Sequence, residues 1–171
     1  IRRQRQMCIR DSTGTTRRTV VRRDVFEGQD VYIISRGDGT FSVVNLDLST
    51  IAIVDGIGAV RVRFNRSGDP SFPLFVGRVY TQEFDNPVGR YRGTYTFRVT
   101  GVEDVQTRAG NFKAFRVTEE GKGTFYSGQP FTESGVRYYA PAAKTWVKSS
   151  FSVDTGYRFK EELVGLQVLP D

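Results

Sequence analysis

A period of two limits this chain more than any other feature. Val60, Val62 and Phe64 alternate with Arg61 and Arg63, and Tyr91, Gly93, Tyr95, Phe97 and Val99 alternate with Arg92, Thr94, Thr96 and Arg98. Successive side chains of a strand point to opposite faces, so this spacing sorts apolar residues to one side and polar residues to the other. Val147, Phe151 and Val153 share a face with Ser149 among them, and Tyr157, Phe159 and Leu163 share another. No long window keeps an i, i+3, i+4 apolar stripe with helix caps. β-branched and aromatic residues run throughout, which favours strands again. The reading is an all-β chain.

Short turns punctuate the strands. Arg36-Gly37-Asp38-Gly39-Thr40 separates VYIIS from FSVV, and Asp55-Gly56-Ile57-Gly58 separates TIAIV from AVRVRF. Arg108-Ala109-Gly110-Asn111 joins VEDVQT to FKAFRV, and Asp154-Thr155-Gly156 joins SSFSV to YRFKEEL. Chain-adjacent strands with tight turns pair as antiparallel neighbours. The expectation is an antiparallel meander of about nine or ten strands, forming a curved sheet, a half-barrel or a barrel. In FKAFRV the apolar parity slips from Phe112 and Ala114 to Phe115 and Val117, which predicts a β-bulge. Two stretches interrupt the pattern. The first runs from Arg66 to Phe75 with Pro70 and Pro73, which cannot donate to a ladder. Its Phe72, Leu74 and Phe75 predict a segment tucked over an open end of the sheet. The second, Ser127 to Gly135 with Pro130 and Phe131, reads as a mobile hairpin tip.

The opening stretch, IRRQRQMCIRDS, stands apart. The DNA string ATG-TGT-ATA-AGA-GAC-AG, the end of a sequencing-library transposon adapter, translates to Met-Cys-Ile-Arg-Asp followed by Ser or Arg. With the adapter sequence just upstream it matches Arg2 to Asp11 residue for residue. Residues 1–12 are therefore set aside as adapter-derived, leaving 13–171 as a single β domain with its own N-terminus missing. The excluded segment is expected to pack against nothing.

Without Arg2, Arg3, Arg5, Arg10 and Asp11, the 25 Lys+Arg and 19 Asp+Glu become 21 and 18, and the net charge falls from +6 to +3. That is an ordinary mixed surface rather than a nucleic-acid or membrane footprint. The only Cys and only Met lie in residues 1–12, and there is no His. Disulfides, thiol nucleophiles, His metal sites and a Ser-His-Asp triad are thus excluded from residues 13–171. No apolar run is long enough to span a bilayer as a helix.

The second half carries an ordered set of motifs: Val105 to Arg116 with Gly110-x-Phe112-x-Ala114-x-Arg116, then Tyr138-Tyr139-Ala140-Pro141 leading to Val147-Lys148, then Glu162-Leu163-Val164. Over residues 72–166 this order resembles the TapB-like family, bacterial exported β-domains of unknown function. Arg108-Ala109 stands where the family pattern has Pro-Ala, and Lys144 where it has Gly or a neighbour of Gly. The resemblance implies an upstream signal peptide or lipoprotein signal, a periplasmic or secreted setting and an antiparallel sheet. It supplies no catalytic residues.

Candidate chemistry is sparse. Arg61, Arg63, Arg66, Arg78, Arg90, Arg92 and Arg98 interleave with aromatics, as on a sheet that stacks single-stranded nucleic acid. Strict alternation, however, puts the two sets on opposite faces, so nucleic acid is not expected as a partner. Glu119-Glu120, Glu161-Glu162, Asp85 and Glu103-Asp104 could serve glycoside chemistry as an acid–base pair. Adjacent strand residues face opposite ways, so neither Glu-Glu doublet is a natural dyad, and the plain reading is surface charge near turns. Glu161 shares the parity of Phe159 and Leu163, and an inward carboxylate there needs a partner such as an arginine. Gly121-Lys122-Gly123-Thr124 lacks the spacing of a phosphate loop.

The expectation is a non-enzymatic exported or envelope domain with no cofactor. It would bind an apolar molecule or a partner protein in the concave face of its sheet. Phe72, Phe75, Tyr95, Phe97, Tyr139 and Trp146 are the candidate ligand-binding residues. The alternatives are a structural or interaction domain without a pocket and, behind it, a hydrolase using carboxylates.

Overall fold

The computed structural model describes residues 5–11, 14–64 and 68–168. Among these residues twelve strands follow one another along the chain. They are β1 (Arg5–Asp11), β2 (Gly14–Phe26), β3 (Gln29–Ser35), β4 (Phe41–Val44), β5 (Thr50–Val54) and β6 (Val60–Phe64). Then come β7 (Val79–Asn86), β8 (Tyr91–Thr107), β9 (Gly110–Phe125), β10 (Pro130–Ala140), β11 (Thr145–Val153) and β12 (Arg158–Val168). Each pairs antiparallel with its neighbour in sequence, and β1 pairs with β12, closing the sheet into a barrel. The all-β meander is thus a closed barrel. The twelve strands include β1, which the sequence reading had set aside.

The expectation that this segment packs against nothing requires a correction. Arg5–Asp11 does not lie free; it bonds to β2 on one side and β12 on the other. The physical reason is the edge problem. Without it, β2 and β12 would each present a row of unpaired amides and carbonyls. The alternation also fits: Met7 and Ile9 are buried with Val105, Ala114, Ala140, Ala143, Val147 and Leu163. Residues 1–4, 12 and 13 lie outside the described residues.

The predicted turns are where the residues demand them. Gly37 and Gly39 take φ of 80° and 83°, a region that side chains avoid. The Asp38 carboxylate accepts from the Thr40 amide at 2.9 Å and its hydroxyl at 2.6 Å. Asp55 Oδ1 likewise accepts from the amides of Ile57 and Ala59, at 3.1 and 2.9 Å. The parity slip in FKAFRV is present. β9 buries Ala114 and then Val117, and its register with β8 shifts between Val99 and Gly101. Lys144 has φ of 52°, at a position where the resemblance leads one to expect Gly.

The two interruptions differ. Residues 68–78 do cover one end of the barrel. The Asp69 and Thr50 backbones exchange two hydrogen bonds of 2.9 Å, and Leu74 packs on the cluster of Tyr80, Phe97, Val99 and Val117. Arg66 and Ser67 lie outside the described residues. The Ser127–Gly135 stretch is not a loose tip. β10 begins at Pro130, and Phe131, 5% exposed, packs its ring 5.1 Å from Phe125 and 5.6 Å from Tyr91. Ring burial holds the strand down to its first residues.

Two outcomes are expected. Deleting residues 1–12 should lower Tm and cause self-association through the opened β2 and β12 edges, read by calorimetry and light scattering. Lys144→Gly should raise stability by about 1 kcal/mol by relieving the left-handed backbone, read from urea unfolding.

Candidate functional site

Closure creates an interior, and alternation decides what fills it. β7 points Tyr80, Gln82 and Phe84 inward, and β10 turns Phe131, Glu133 and Arg137 the same way. Glu119 of β9 is 4% exposed, while its neighbour Glu120 is exposed. The interior is therefore not purely apolar. A layer of charge lies among the apolar side chains.

Arg137 is the centre of that layer. Its Nη1 donates to Asp69 Oδ2 at 2.5 Å and stands 3.7 Å from Glu119 Oε2. Its guanidinium lies 4.0 Å from the centre of the Trp146 ring, a cation–π contact. Burial works against the guanidinium's charge, but Asp69 and Glu119 more than offset it and hold the proton above its ordinary range. Burial also pushes the Glu119 carboxyl from 4.5 up to about 7, against the pull of Arg137. Asp69, Glu133 and Glu161 add to that rise. Glu133 is raised by burial too, in spite of the hydrogen bond that Tyr95 Oη donates to it at 3.2 Å. Gly135 makes the arrangement possible. A Cβ there would stand 2.7 Å from Glu119 Oε1 and 2.8 Å from the Phe151 Cβ.

A second charged group lies nearer the other end. Arg18 pairs with Glu161 at 3.4 Å, and Ser149 donates to Glu161 at 3.3 Å. Arg36 reaches Ser42 Oγ at 3.3 Å, and burial followed by the nearby Arg18 lowers its pKa. The inward Glu161 thus has the arginine partner its parity required.

The ring residues named from sequence fall into two groups. Tyr95 and Phe97 lie 5.8 Å apart, Phe72 and Tyr139 5.3 Å, and Tyr139 and Trp146 5.6 Å, centre to centre. All five line or cover the interior on the Arg137 side. Phe75 does not join them; it is 56% exposed. The carboxylate reading needs correction at one residue. Glu119 is not surface charge, because its parity with the buried Val117 turns it inward. Sequence reasoning also passed over Asp69, Tyr80, Gln82 and Arg137. The signal for Arg137 was available, since it shares strand parity with Phe131 and Glu133.

Of the interleaved arginines, Arg61, Arg63, Arg90, Arg92 and Arg98 are exposed. An open groove of about 720 Å³ crosses β6 to β9, lined among others by Arg63, Glu83, Asp85, Arg92 and Lys122. It includes none of the six ring residues named above. Among the described residues no group of three His, Cys, Asp or Glu is placed to hold a metal ion. No helix there is long and apolar enough to cross a membrane.

No family model matches the chain, and no curated protein matches it. Solved structures do. A candidate lipoprotein from Parabacteroides distasonis aligns with TM-score 0.55 and 10% identity over 98% of this chain and 96% of its own. The fold is similar. The hypothetical lipoprotein YmcC from Escherichia coli gives 0.53 and 13%, over 97% of this chain and 87% of its own. A candidate exported protein with YmcC-like fold from Bacteroides fragilis gives 0.51 and 13%, over 95% of each chain. At such identities the likeness is one of fold alone.

The raised Glu119 pKa sets a pH dependence. The folded state holds this proton more tightly than the unfolded chain, so the stability it contributes is full below pH 4.5 and lost as pH rises to about 7. Glu119→Gln should therefore reduce the fall in unfolding free energy across that window, measured by urea titration at several pH values. Arg137→Met leaves two buried carboxylates without their cation and should destabilise by about 3–5 kcal/mol.

Proposed function

We propose that this chain is an exported β-barrel domain of the bacterial cell envelope, periplasmic or secreted, that acts by binding rather than by catalysis. Export is supported by the fold it shares with proteins named as lipoproteins or exported proteins, and by the motif order resembling the TapB-like domains. A role in binding is carried by one observation. The barrel end over Tyr139 and Trp146 is closed by the Gly68–Arg78 segment, not by strands, and a buried ion pair from Asp69 to Arg137 pins it. Such a segment can lift at the cost of its backbone bonds to Thr50 and Val99 while the twelve strands stay paired with one another. Beneath it lie Tyr95, Phe97, Tyr139 and Trp146, with Phe72 on its underside; an apolar molecule or an apolar side chain of a partner protein would meet those rings.

A non-catalytic role is supported by the partners of the inward carboxylates. Asp69 and Glu119 share Arg137, Glu133 accepts from Tyr95, and Glu161 is held by Arg18 and Ser149. A structural or interaction domain without a pocket is the second reading. It is favoured by the stacked rings of Tyr80 on Phe97 and Phe84 on Tyr95, 4.8 and 4.6 Å apart.

Asp69→Asn removes the charge but keeps the shape. It should free the segment, so that trypsin cuts after Arg78 faster than in the wild type. The neutral apolar dye N-phenyl-1-naphthylamine should then bind saturably and quench Trp146. Faster cleavage without dye uptake would defeat the binding reading and leave the pocket-free domain.

A further inference from the structure

The polar atoms on the Arg137 side of the barrel are not all accounted for. Asp69 Oδ1, Tyr80 Oη, both amide atoms of Gln82 and Trp146 Nε1 are buried without a hydrogen-bond partner among the described residues. Gln82 is 1% exposed and Tyr80 8%. Arg18 Nε shares this condition but belongs to the Glu161 group. Each such atom destabilises the folded chain if nothing meets it. A group of them in one place is a recognition surface waiting for hydrogen bonds, from water or from a ligand.

They are in one place. Tyr80 and Gln82 are inward neighbours on β7, one pleat apart. Asp69 and Arg137 both act electrostatically on the Tyr80 hydroxyl. Arg137 in turn touches Asp69 at 2.5 Å and lies 4.0 Å from the Trp146 ring. Gln82 pairs across the ladder with Tyr95, and Tyr80 with Phe97.

The chemistry of the set narrows the ligand. It offers donors (the Tyr80 hydroxyl, the Gln82 amide, the Trp146 indole) and acceptors (Asp69 Oδ1, the Gln82 carbonyl) side by side. Arg137 balances Asp69, and Glu119, raised to about 7 by burial, is part-protonated at neutral pH, so an added anion would meet carboxylates and an added cation a guanidinium. The nearby ring faces are already in use, Tyr80 on Phe97 and Trp146 under Arg137, so hydrogen bonds rather than stacking would hold the ligand. A neutral ring bearing several hydroxyls satisfies both conditions. We propose that, once the Gly68–Arg78 segment lifts, the interior beside Arg137 binds a neutral polyhydroxylated ring of the pyranose class, held by Gln82, Tyr80, Asp69 and Trp146. This deepens the binding reading above and rests on it.

Trp146 is the chain's only tryptophan, so its emission reports the site directly. The whole protein is titrated with glucose, galactose and N-acetylglucosamine, with their β-linked disaccharides, with the charged analogues glucuronate and glucosamine, and with the apolar dye. At least one neutral sugar should shift the emission saturably, and its charged analogue should bind at least tenfold more weakly. A preference for the disaccharide would place a glycan chain, not a free monosaccharide, at the site. Gln82→Leu should weaken the sugar at least tenfold while raising Tm, because it replaces unmet polar atoms with an apolar side chain. Dye binding without any neutral sugar overturns the pyranose assignment and leaves the binding reading standing. No response to sugar or dye, in the wild type or in Asp69→Asn, overturns both. Unchanged sugar affinity in a folded Gln82→Leu protein overturns the site.

Discussion

Ring closure is the constraint from which the rest follows. Every strand of the meander needs a partner on both sides, and the last strand can find its second partner only in the first. Arg5–Asp11 fills that position, and Met7 and Ile9 complete one of the apolar clusters as it does so. Once closed, the barrel has an inside that alternation must fill, and on several strands the inward positions are not apolar. Glu119, Glu133, Arg137 and Glu161 all occupy core-facing sites. The charges are tolerable only because they meet one another, and the meeting draws together strands far apart in the chain. Arg137 of β10 joins Asp69 from the segment between β6 and β7.

That one ion pair links stability to access. It pins a segment outside the ladder to the wall of the barrel, and it uses a cation that Trp146 also covers. The same desolvation that makes the pair strong raises the Glu119 carboxyl toward neutral pH. A region with buried charge, unmet polar atoms and a non-strand cover differs in kind from the aliphatic cluster of Val31, Ile33, Val43, Ile51, Ala52 and Val54, where side chains simply exclude water.

Much of the wall was legible in the residues, because strand alternation and turn chemistry act locally. RGDGT and DGIG read as turns, since Asp caps the amides that follow it and Gly accepts the positive φ. Glu161 was legible as an inward acid in search of an arginine, though not which arginine. Arg18 lies 143 residues away in sequence. Tyr95 and Phe97 were legible as core-side rings by parity, Tyr139 and Trp146 only as aromatics near a proline corner at a strand end, and Phe75 is exposed in the covering segment. Glu119 was misread because a Glu-Glu doublet near polar residues looks like surface, and only the burial of Val117 two positions earlier marks its face.

Local physics therefore settled the class: a period of two, β-branched and aromatic content, and turns that force antiparallel neighbours. The chain alone also excluded His and thiol chemistry outside its first twelve residues, because those side chains are not there. Closure, by contrast, was decided in three dimensions. Whether a curved sheet meets itself depends on the twist and bulges summed over all its strands. The Asp69–Arg137–Glu119 group was decided there too. A charge finds its counter-charge across the width of a barrel, at a distance that no spacing along the sequence records.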